Sequence, residues 1–378
     1  MANSASVRRI AAVGVLIASI VSSVGAADDA PPRPDVIRPA AAILRDYDTV
    51  TAPSMIESSD PVELARFDRA QLEAAEKRQA LALELAASHP IHARVPELLR
   101  MRWTLFSTVQ EDGERALRET ERWLAARPAP AIVAAAAATR ALAAITLESA
   151  DFEQRRQLIA ASEALAPKEV LVHDAWLELA WKHTADPAVQ RERVERVRAN
   201  FAADADDDDD VTWNLRLVER LLARIGQPLD LRFDGVDRDR SVDAPRSLAE
   251  WRGRPCLVHL QIWTPTWTEG VQQPRYAALA ALRERRPASE LPLLSVLQTF
   301  DESDPAPWFR AARANGLHTL WIDRADWQRS IARDQVGTSR GGSWLLVDAD
   351  GVLRAWSWNL AELARQVDLL LAPKRRAS

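Results

Sequence analysis

The segment SWLLVDADGVLRAWSW, residues 343–358, decides the fold of the C-terminal third of this chain. Two apolar runs, Ser343 to Val347 and Val352 to Trp358, flank the dipeptide Asp350-Gly351. An Asp-Gly pair between apolar runs is typical of a type I′ turn that joins two antiparallel strands. We therefore predict a β-hairpin here, followed by an amphipathic helix over Leu360 to Leu371.

Strand and helix patterns alternate upstream of this hairpin. After an exposed strand predicted at Leu229 to Phe233, apolar strands are predicted at Cys256 to Ile262, Leu291 to Phe300 and His318 to Ile322. Helices are predicted between them, at Gly270 to Arg286, Pro305 to Asn315 and Ala325 to Arg333. This alternation indicates a layered α/β domain with a central mixed sheet, which we assign to residues 229–372.

Residues 60–226 have helical periodicity and almost no glycine. Breaks at Pro90, Pro128 and Pro167 recur at intervals of about 38 residues, a spacing typical of stacked helical hairpins. After the breaks, apolar-faced helices are predicted at Val95 to Val109, Ala131 to Leu147, Glu169 to His183 and Val211 to Ile225. The chain is thus expected to be multidomain α + α/β, with an N-terminal all-α helical-hairpin repeat domain. An irregular helical bundle is the alternative.

The N-terminal residues have the pattern of a secretory signal peptide, assigned to residues 1–26. Arg8 and Arg9 precede an apolar run over Ile10 to Val21, and Val24-Gly25-Ala26 offers small residues for cleavage. An uncleaved anchor is the alternative. A tail over 27–59 follows, with one short helix around Ala40 to Tyr47, and a basic tail closes the chain over 373–378. We expect a periplasmic or secreted protein that does not contact the membrane after cleavage.

The net charge and the lack of metal-binding motifs exclude several classes of ligand. The chain has 378 residues and a net charge of −5, which argues against a general nucleic-acid binder. The acidic run Asp206 to Asp210 lacks the alternation of a calcium loop and is interpreted as a solvated loop. No Cys/His cluster or HExxH motif appears, so neither a metal nor a cofactor is predicted.

Three stretches of the C-terminal domain resemble the thioredoxin-fold family, in particular its secreted thiol-disulfide reductase and redoxin branch. Ser247 to Pro255 resembles the entry to the first core strand, Trp263 to Trp267 resembles the WATW loop, and Leu345 to Gly351 resembles the FLIDxDG hairpin. The resemblance implies a thioredoxin-like fold over about Leu229 to Leu371. The helical domain in turn loosely resembles tetratricopeptide repeats, although the Trp, Gly and Tyr positions of their consensus are not evident.

The resemblance also shows what this chain lacks. Placed by the family's tryptophan, the two cysteines of the redox motif fall on Thr268 and Val271, and in a peroxiredoxin alignment the cysteine falls on Trp267. Neither threonine nor valine can supply the thiolate that this chemistry needs. The family's cis-proline position falls on Gly342. We therefore predict no catalytic residue here, with Thr268, Val271 and Gly342 as lost-site positions.

Cys256 is the lone thiol of the chain. One thiol cannot support a dithiol/disulfide cycle. In a predicted core strand it is expected to behave as a small hydrophobe with a raised pKa. A reactive role would require an exposed thiol beside a cation, for which Arg254 is the near candidate.

The function predicted from these patterns is a non-catalytic binding module for a protein or peptide. Its binding candidates surround the former active-site loop: Trp263, Thr264, Trp267, Thr268, Gly341, Gly342 and Trp344. The alternative is a divergent thiol-disulfide oxidoreductase or peroxiredoxin-like enzyme that uses Cys256 or a partner's thiol. A third hypothesis gives the function to the helical repeats alone.

Overall fold

A computed structural model of the chain describes residues 37–54, 61–110, 112–147, 149–201, 210–232, 247–263, 278–299, 318–323 and 343–372. The predicted signal peptide, the acidic run Asp206 to Asp209, the basic tail and the helices predicted at Pro305 to Asn315 and Ala325 to Arg333 lie outside these residues.

Nine helices occupy the described residues up to Arg224. They are α1 Ala40–Thr49, α2 Pro61–Ser88, α3 Val95–Thr108, α4 Gly113–Ala125, α5 Pro130–Thr146, α6 Phe152–Leu165, α7 Val170–Lys182, α8 Pro187–Phe201 and α9 Asp210–Arg224. Proline at the first or second position starts α3 and α5, where its missing N–H leaves no hydrogen bond unmade. Asp112 and Asp151 cap α4 and α6 with their side chains.

The helices stack in a regular order. Each of α1 to α9 packs against the next helix along the chain, and α3, α5, α7 and α9 also pack against one another in that order. This is the contact pattern of successive hairpins laid side by side. Their assignment to tetratricopeptide-like repeats stays a prediction.

Two buried tryptophans are held in the same way in different hairpins. The indole N–H of Trp103 donates to Glu119 at 3.1 Å, and Arg102 pairs with that carboxylate at 2.7 Å. The indole N–H of Trp176 donates to Glu163 at 3.1 Å, and Arg196 contacts that carboxylate as well. In each case the glutamate satisfies a buried donor and an arginine balances its charge, so both large rings can be buried without an unmade hydrogen bond.

Nine of the 17 residues of the central helix α5 are alanine, and its buried residues extend from Ile132 to Ile145. Small side chains let the neighbouring helices approach closely. The first half of α5 shares a core with α1 to α4. Its second half belongs to a core that continues through α6 to α9 into the C-terminal sheet.

The sheet has five strands: β1 Cys256–Trp263, β2 Leu293–Thr299, β3 His318–Asp323, β4 Ser343–Val347 and β5 Leu353–Ser357. Their order is β3-β2-β1-β4-β5, with β1, β2 and β3 parallel to one another and β4 antiparallel to both β1 and β5. Helical residues 278–285 (α10) and α11 Leu360–Leu371 pack on one face. This order and these directions confirm the thioredoxin-like fold of the C-terminal part.

The turn between β4 and β5 differs from the predicted type I′ turn. The N–H of Asp348 donates to the carbonyl of Val352 at 2.9 Å, so three residues form the loop, and Gly351 alone has a positive φ, of 82°. This is the three-residue hairpin that ends in a left-handed residue. The Asp348 carboxylate accepts the N–H groups of Asp350 and Val352 and pairs with Arg354 at 2.6 Å.

The strand predicted at Leu229 to Phe233 is the second correction. Leu229 and Leu231 are buried, and the segment makes isolated bridges at Pro228 with Val352 and at Arg232 with Ser247 instead of a strand. The exposed-strand prediction was therefore wrong, because the sheet and the helical region enclose these leucines between them. Phe233 lies outside the described residues.

Candidate functional site

Strand directions bring the ends of several strands to one edge of the sheet. The parallel strands β1 to β3 all finish at this edge, and β4 begins there, with Leu260 of β1 opposite Ser343 of β4. The edge where β1 ends at Trp263 and β4 begins at Ser343 is called the site end below. In open α/β sheets, ligands commonly bind outside the carboxyl ends of parallel strands.

The described part of the site end includes a stacked pair of rings in the sheet. Trp344 lies parallel to His259 of β1, with ring centroids 4.1 Å apart and an interplanar angle of 9°. His259 Nδ1 lies 3.2 Å from the hydroxyl of Ser295 on β2. All three side chains are buried, Trp344 with 4% of its surface exposed.

This burial changes the role predicted for Trp344. A side chain that is 96% buried cannot line an open groove. Trp344 instead packs with Leu257, Leu346 and Ala355 in the core between the sheet and α10 and α11. Trp344 is therefore a core residue next to the site end, and the prediction that it lines a binding groove was wrong.

A second aromatic contact joins the site end to the helical region. Trp358, directly after β5, donates its indole N–H to the hydroxyl of Ser343 at 2.9 Å. Its ring stacks on Trp181 of α7, with centroids 5.9 Å apart, and the Lys182 ammonium lies 5.6 Å from its ring centre. The last turn of α7 therefore lies beside the first residue of β4, and the helical region forms part of the surroundings of the site end.

Cys256 lies far from this edge, at the start of β1. It is paired with Val347 in the sheet register and 2% exposed, within the core shared by the sheet and the helices. Burial raises the pKa of the thiol to about 12, an effect that Arg254 opposes and Asp348 reinforces. The thiol therefore stays protonated, which makes it a poor nucleophile, and its burial keeps a disulfide or peroxide substrate from reaching it. This agrees with the structural role expected from the sequence.

Most of the predicted site residues lie outside the described part of the chain. These are Thr264, Trp267, Thr268, Val271, Gly341 and Gly342, and of Trp263 only the main chain is described. Their contribution to binding stays a prediction. The structure adds Trp358 and Trp181, which sequence reasoning missed. Trp358 carried a signal, since it falls on the same face as Trp356 in the hairpin, whereas nothing in the sequence of α7 indicates its partner.

Among the described residues, no group of three or more His, Cys, Asp or Glu side chains is placed to hold a metal ion. None of the helices in that part of the chain is long and apolar enough to cross a membrane.

Comparison with known proteins gives likeness of fold alone. No protein-family model matches the chain, and no curated protein matches it. Three solved structures are similar to part of it: the thioredoxin domain of a thiol-disulfide oxidoreductase from Bacteroides vulgatus (13% identity, TM-score 0.29, 38% of this chain and 94% of that chain), a thiol:disulfide interchange protein from Bacteroides sp. (16%, 0.29, 40% and 93%) and a thioredoxin-like superfamily protein (16%, 0.31, 39% and 96%). At these values the likeness carries no argument about activity, and the fold assignment rests on the strand order.

Proposed function

We propose that the C-terminal region is a binding module for a protein or an extended peptide and performs no thiol chemistry. The observation that carries this proposal is the state of Cys256. It is the one cysteine of the chain, it is 2% exposed, and burial raises its pKa to about 12. Thiol-disulfide exchange begins with an accessible thiolate, and this chain has no second thiol to resolve a mixed disulfide.

The site end is the favoured binding surface. Three parallel strands finish there, and β4 begins beside the last turn of α7. A ligand at this edge would meet main-chain groups at the ends of β1 and β4. Trp263 and Trp267 of the sequence WTPTW are the proposed aromatic anchors. Aromatic side chains are frequent anchors of peptide and protein interfaces.

Binding is tested with a permanently unfolded polypeptide, reduced and carboxymethylated lactalbumin, in a fluorescence anisotropy titration against the mature protein. We expect saturable binding that Trp263→Ala and Trp267→Ala each weaken by about tenfold or more. Trp123→Ala is the matched control, because Trp123 lies on α4 among the N-terminal helices and should leave the affinity unchanged. Equal affinity in all four proteins would place binding elsewhere.

A redox enzyme is the second candidate, favoured by the thioredoxin-like strand order. It would use Cys256 or a thiol on a partner. Fold alone does not establish activity, so an insulin-reduction and peroxide-consumption assay decides. We expect the wild type and Cys256→Ser to be equally inactive. Activity in the wild type that the variant lacks would replace the binding proposal with the enzymatic one.

We further propose that the mature protein works in the periplasm or as a secreted protein. This rests on the signal-peptide pattern of residues 1–26, and N-terminal sequencing of the exported protein tests it.

A further inference from the structure

A cavity of about 610 Å³ lies between helix α2 and residues 49–54, here called the wall segment, which extend from the end of α1. On the helix the cavity is lined by Ala70, Glu73, Ala74 and Lys77, whose spacing places them on one face. Its volume falls within the range of small-molecule pockets, about 300–1,000 Å³. The cavity belongs to the N-terminal helices, and the function proposed above gives it no role.

The fold itself holds the wall segment at its start. The guanidinium of Arg78, on α2, donates to the carbonyl of Val50 at 2.7 Å and lies 5.9 Å from the ring centre of Tyr47, a core residue of α1. On the helix side, Ala70 and Ala74 present only methyl groups to the cavity. Because these side chains are short, the space between the helix and the wall segment is left unfilled.

Two opposite charges line the cavity on α2. Glu73 and Lys77 are four residues apart, a spacing at which glutamate and lysine commonly pair on a helix. Both side chains are exposed, and the described residues provide neither of them with an ion-pair or hydrogen-bond partner. At 1.5 Å per residue, their Cα atoms lie about 6 Å apart along the helix axis. The cavity can therefore neutralise one cationic and one anionic group of the same small molecule.

The wall segment offers main-chain groups on the opposite side. Thr51 to Ser54 form neither helix nor strand, and their main-chain groups make no hydrogen bond with the described residues. Extended peptides bind by pairing with main-chain groups of this kind. An extended peptide spans about 7 Å with two residues and about 10 Å with three. Its two charged termini can thus reach Glu73 and Lys77 at the same time.

We propose that this cavity binds a short peptide of two or three residues with free termini. Its ammonium group lies on Glu73, its carboxylate lies on Lys77, and its main chain pairs with the wall segment. A peptide is favoured over a simple amine or carboxylate, since each of those satisfies one of the two charges and leaves the main-chain groups unpaired. The methyl groups of Ala70 and Ala74 leave room for small side chains.

The proposal is tested by isothermal titration calorimetry of the full mature protein with trialanine as the probe. We expect saturable binding that Glu73→Gln and Lys77→Gln each weaken by about tenfold or more, because each removes a charged hydrogen-bond partner. Glu76→Gln and Arg66→Gln are the matched controls. Both side chains are exposed on α2 and do not line the cavity, so these variants should keep the wild-type affinity.

A second probe depends on no variant. Trialanine with an acetylated N-terminus and an amidated C-terminus has neither charge and should bind about tenfold more weakly than trialanine, or not at all. Absence of trialanine binding to the wild type overturns the proposal. Equal affinity for the blocked and the free peptide does so too, as does equal affinity in Glu73→Gln and Glu76→Gln.

Two further variants separate this cavity from the site end. Ala70→Phe fills the cavity from a half-buried position, so it should abolish trialanine binding and leave binding of the unfolded polypeptide unchanged. Trp263→Ala should have the opposite effects. If Trp263→Ala weakens trialanine binding and Ala70→Phe does not, short peptides bind at the site end and the proposal for the cavity is wrong.

Discussion

The ring of Trp181, at the end of α7, stacks on the ring of Trp358, directly after β5, with centroids 5.9 Å apart. The two residues are far apart in the chain, one in the region predicted as helical repeats and the other in the thioredoxin-like region. They pack in one core that runs from α5 to β5 without a break. The two regions are thus parts of one packed body, and the predictions below follow largely from that.

Separating the regions between Gly226 and Leu229 should unfold the C-terminal fragment and destabilise the helical one. A fragment that starts at Leu229 would expose apolar side chains now covered by the helices, among them Trp356 and Leu353. We expect this fragment to lack the near-ultraviolet circular dichroism of packed tryptophans, and the fragment ending at Gly226 to keep only the signal of the separate core around Trp103. A stable C-terminal fragment with native-like packing would contradict the shared core.

Gln190→Ala should destabilise the protein by about 2–4 kcal/mol. The substitution removes the donor for three main-chain carbonyls, of Ala180, Thr184 and Trp356, and leaves them buried. Urea unfolding followed by fluorescence measures the change. Gln157→Ala, at an exposed position of α6, is the matched control and should change the free energy of unfolding by less than about 0.5 kcal/mol. Equal effects of the two substitutions would show that Gln190 does not connect the two regions.

Alkylation of Cys256 should require unfolding of the protein. The thiol is buried and its pKa is raised to about 12, so few native molecules carry an accessible thiolate at any pH up to about 10. We expect the iodoacetamide labelling rate of the native protein to follow the rate or population of unfolding. An exposed thiol would instead label faster as the pH approaches its usual pKa of about 8.5, and that profile would contradict a buried thiol.

The protein should lose stability between about pH 6.5 and pH 4 through His183. Burial lowers the pKa of this imidazole to about 4, with Arg155 and Lys182 adding to the decrease and the Ile145 carbonyl opposing it. Between these pH values the His183 imidazole is protonated in the unfolded chain and stays neutral in the folded protein, so the free energy of unfolding falls as the pH falls. Because the ring is only partly buried, we expect a loss of roughly 1–2 kcal/mol.

Urea unfolding at several pH values measures this dependence. His183→Gln should flatten the curve between pH 6.5 and pH 4, whereas His92→Gln on the loop between α2 and α3 should preserve it. An unchanged slope in His183→Gln would assign the loss to other groups.

Arg127→Gly should stabilise the protein by about 0.5–1 kcal/mol. Arg127 follows α4 with φ of +52°, the one positive φ among the described residues other than glycine, and its N–H bonds the carbonyl of Leu124. A residue with a Cβ is strained there, and glycine is not. Thermal and urea unfolding give the difference, with Arg127→Ala as the control that keeps the Cβ. A gain in both variants would point to the lost charge instead of the relieved backbone.

The elements of the fold could be predicted closely because each has its own local pattern. The apolar run that predicts a strand at Cys256 to Ile262 becomes β1 Cys256–Trp263, and the predicted helix at Val95 to Val109 becomes α3 Val95–Thr108. The turn after Val347 was mispredicted because Asp350-Gly351 suits two hairpin types. The register shift between Leu346 and Val347 selects the three-residue hairpin. Register depends on how the two strands pair, so the dipeptide alone does not predict it.

The candidate site was less predictable, since its geometry depends on contacts between distant residues. Whether Trp344 faces ligand or core depends on which ring lies beside it, and His259 is on another strand. Gln190 lies 166 residues from Trp356, and its sequence surroundings resemble those of any polar position on a helix. Sequence periodicity does not indicate contacts between residues this far apart in the chain.

The outer edge of β5 is covered by main-chain and side-chain hydrogen bonds from the same molecule. The N–H of Gly226 donates to the carbonyl of Leu353, and the N–H of Leu353 donates to the carbonyl of Gln227. The N–H of Leu229 donates to the carbonyl of Gly351, and Gln190 and Trp181 bond the main chain at the other end of the strand. The described residues that bond this edge leave no run of unpaired main-chain N–H and C=O groups with which a strand of a second molecule could pair. Copies of this protein at high concentration therefore cannot extend their sheets into one another at β5, the route by which exposed strand edges start aggregation.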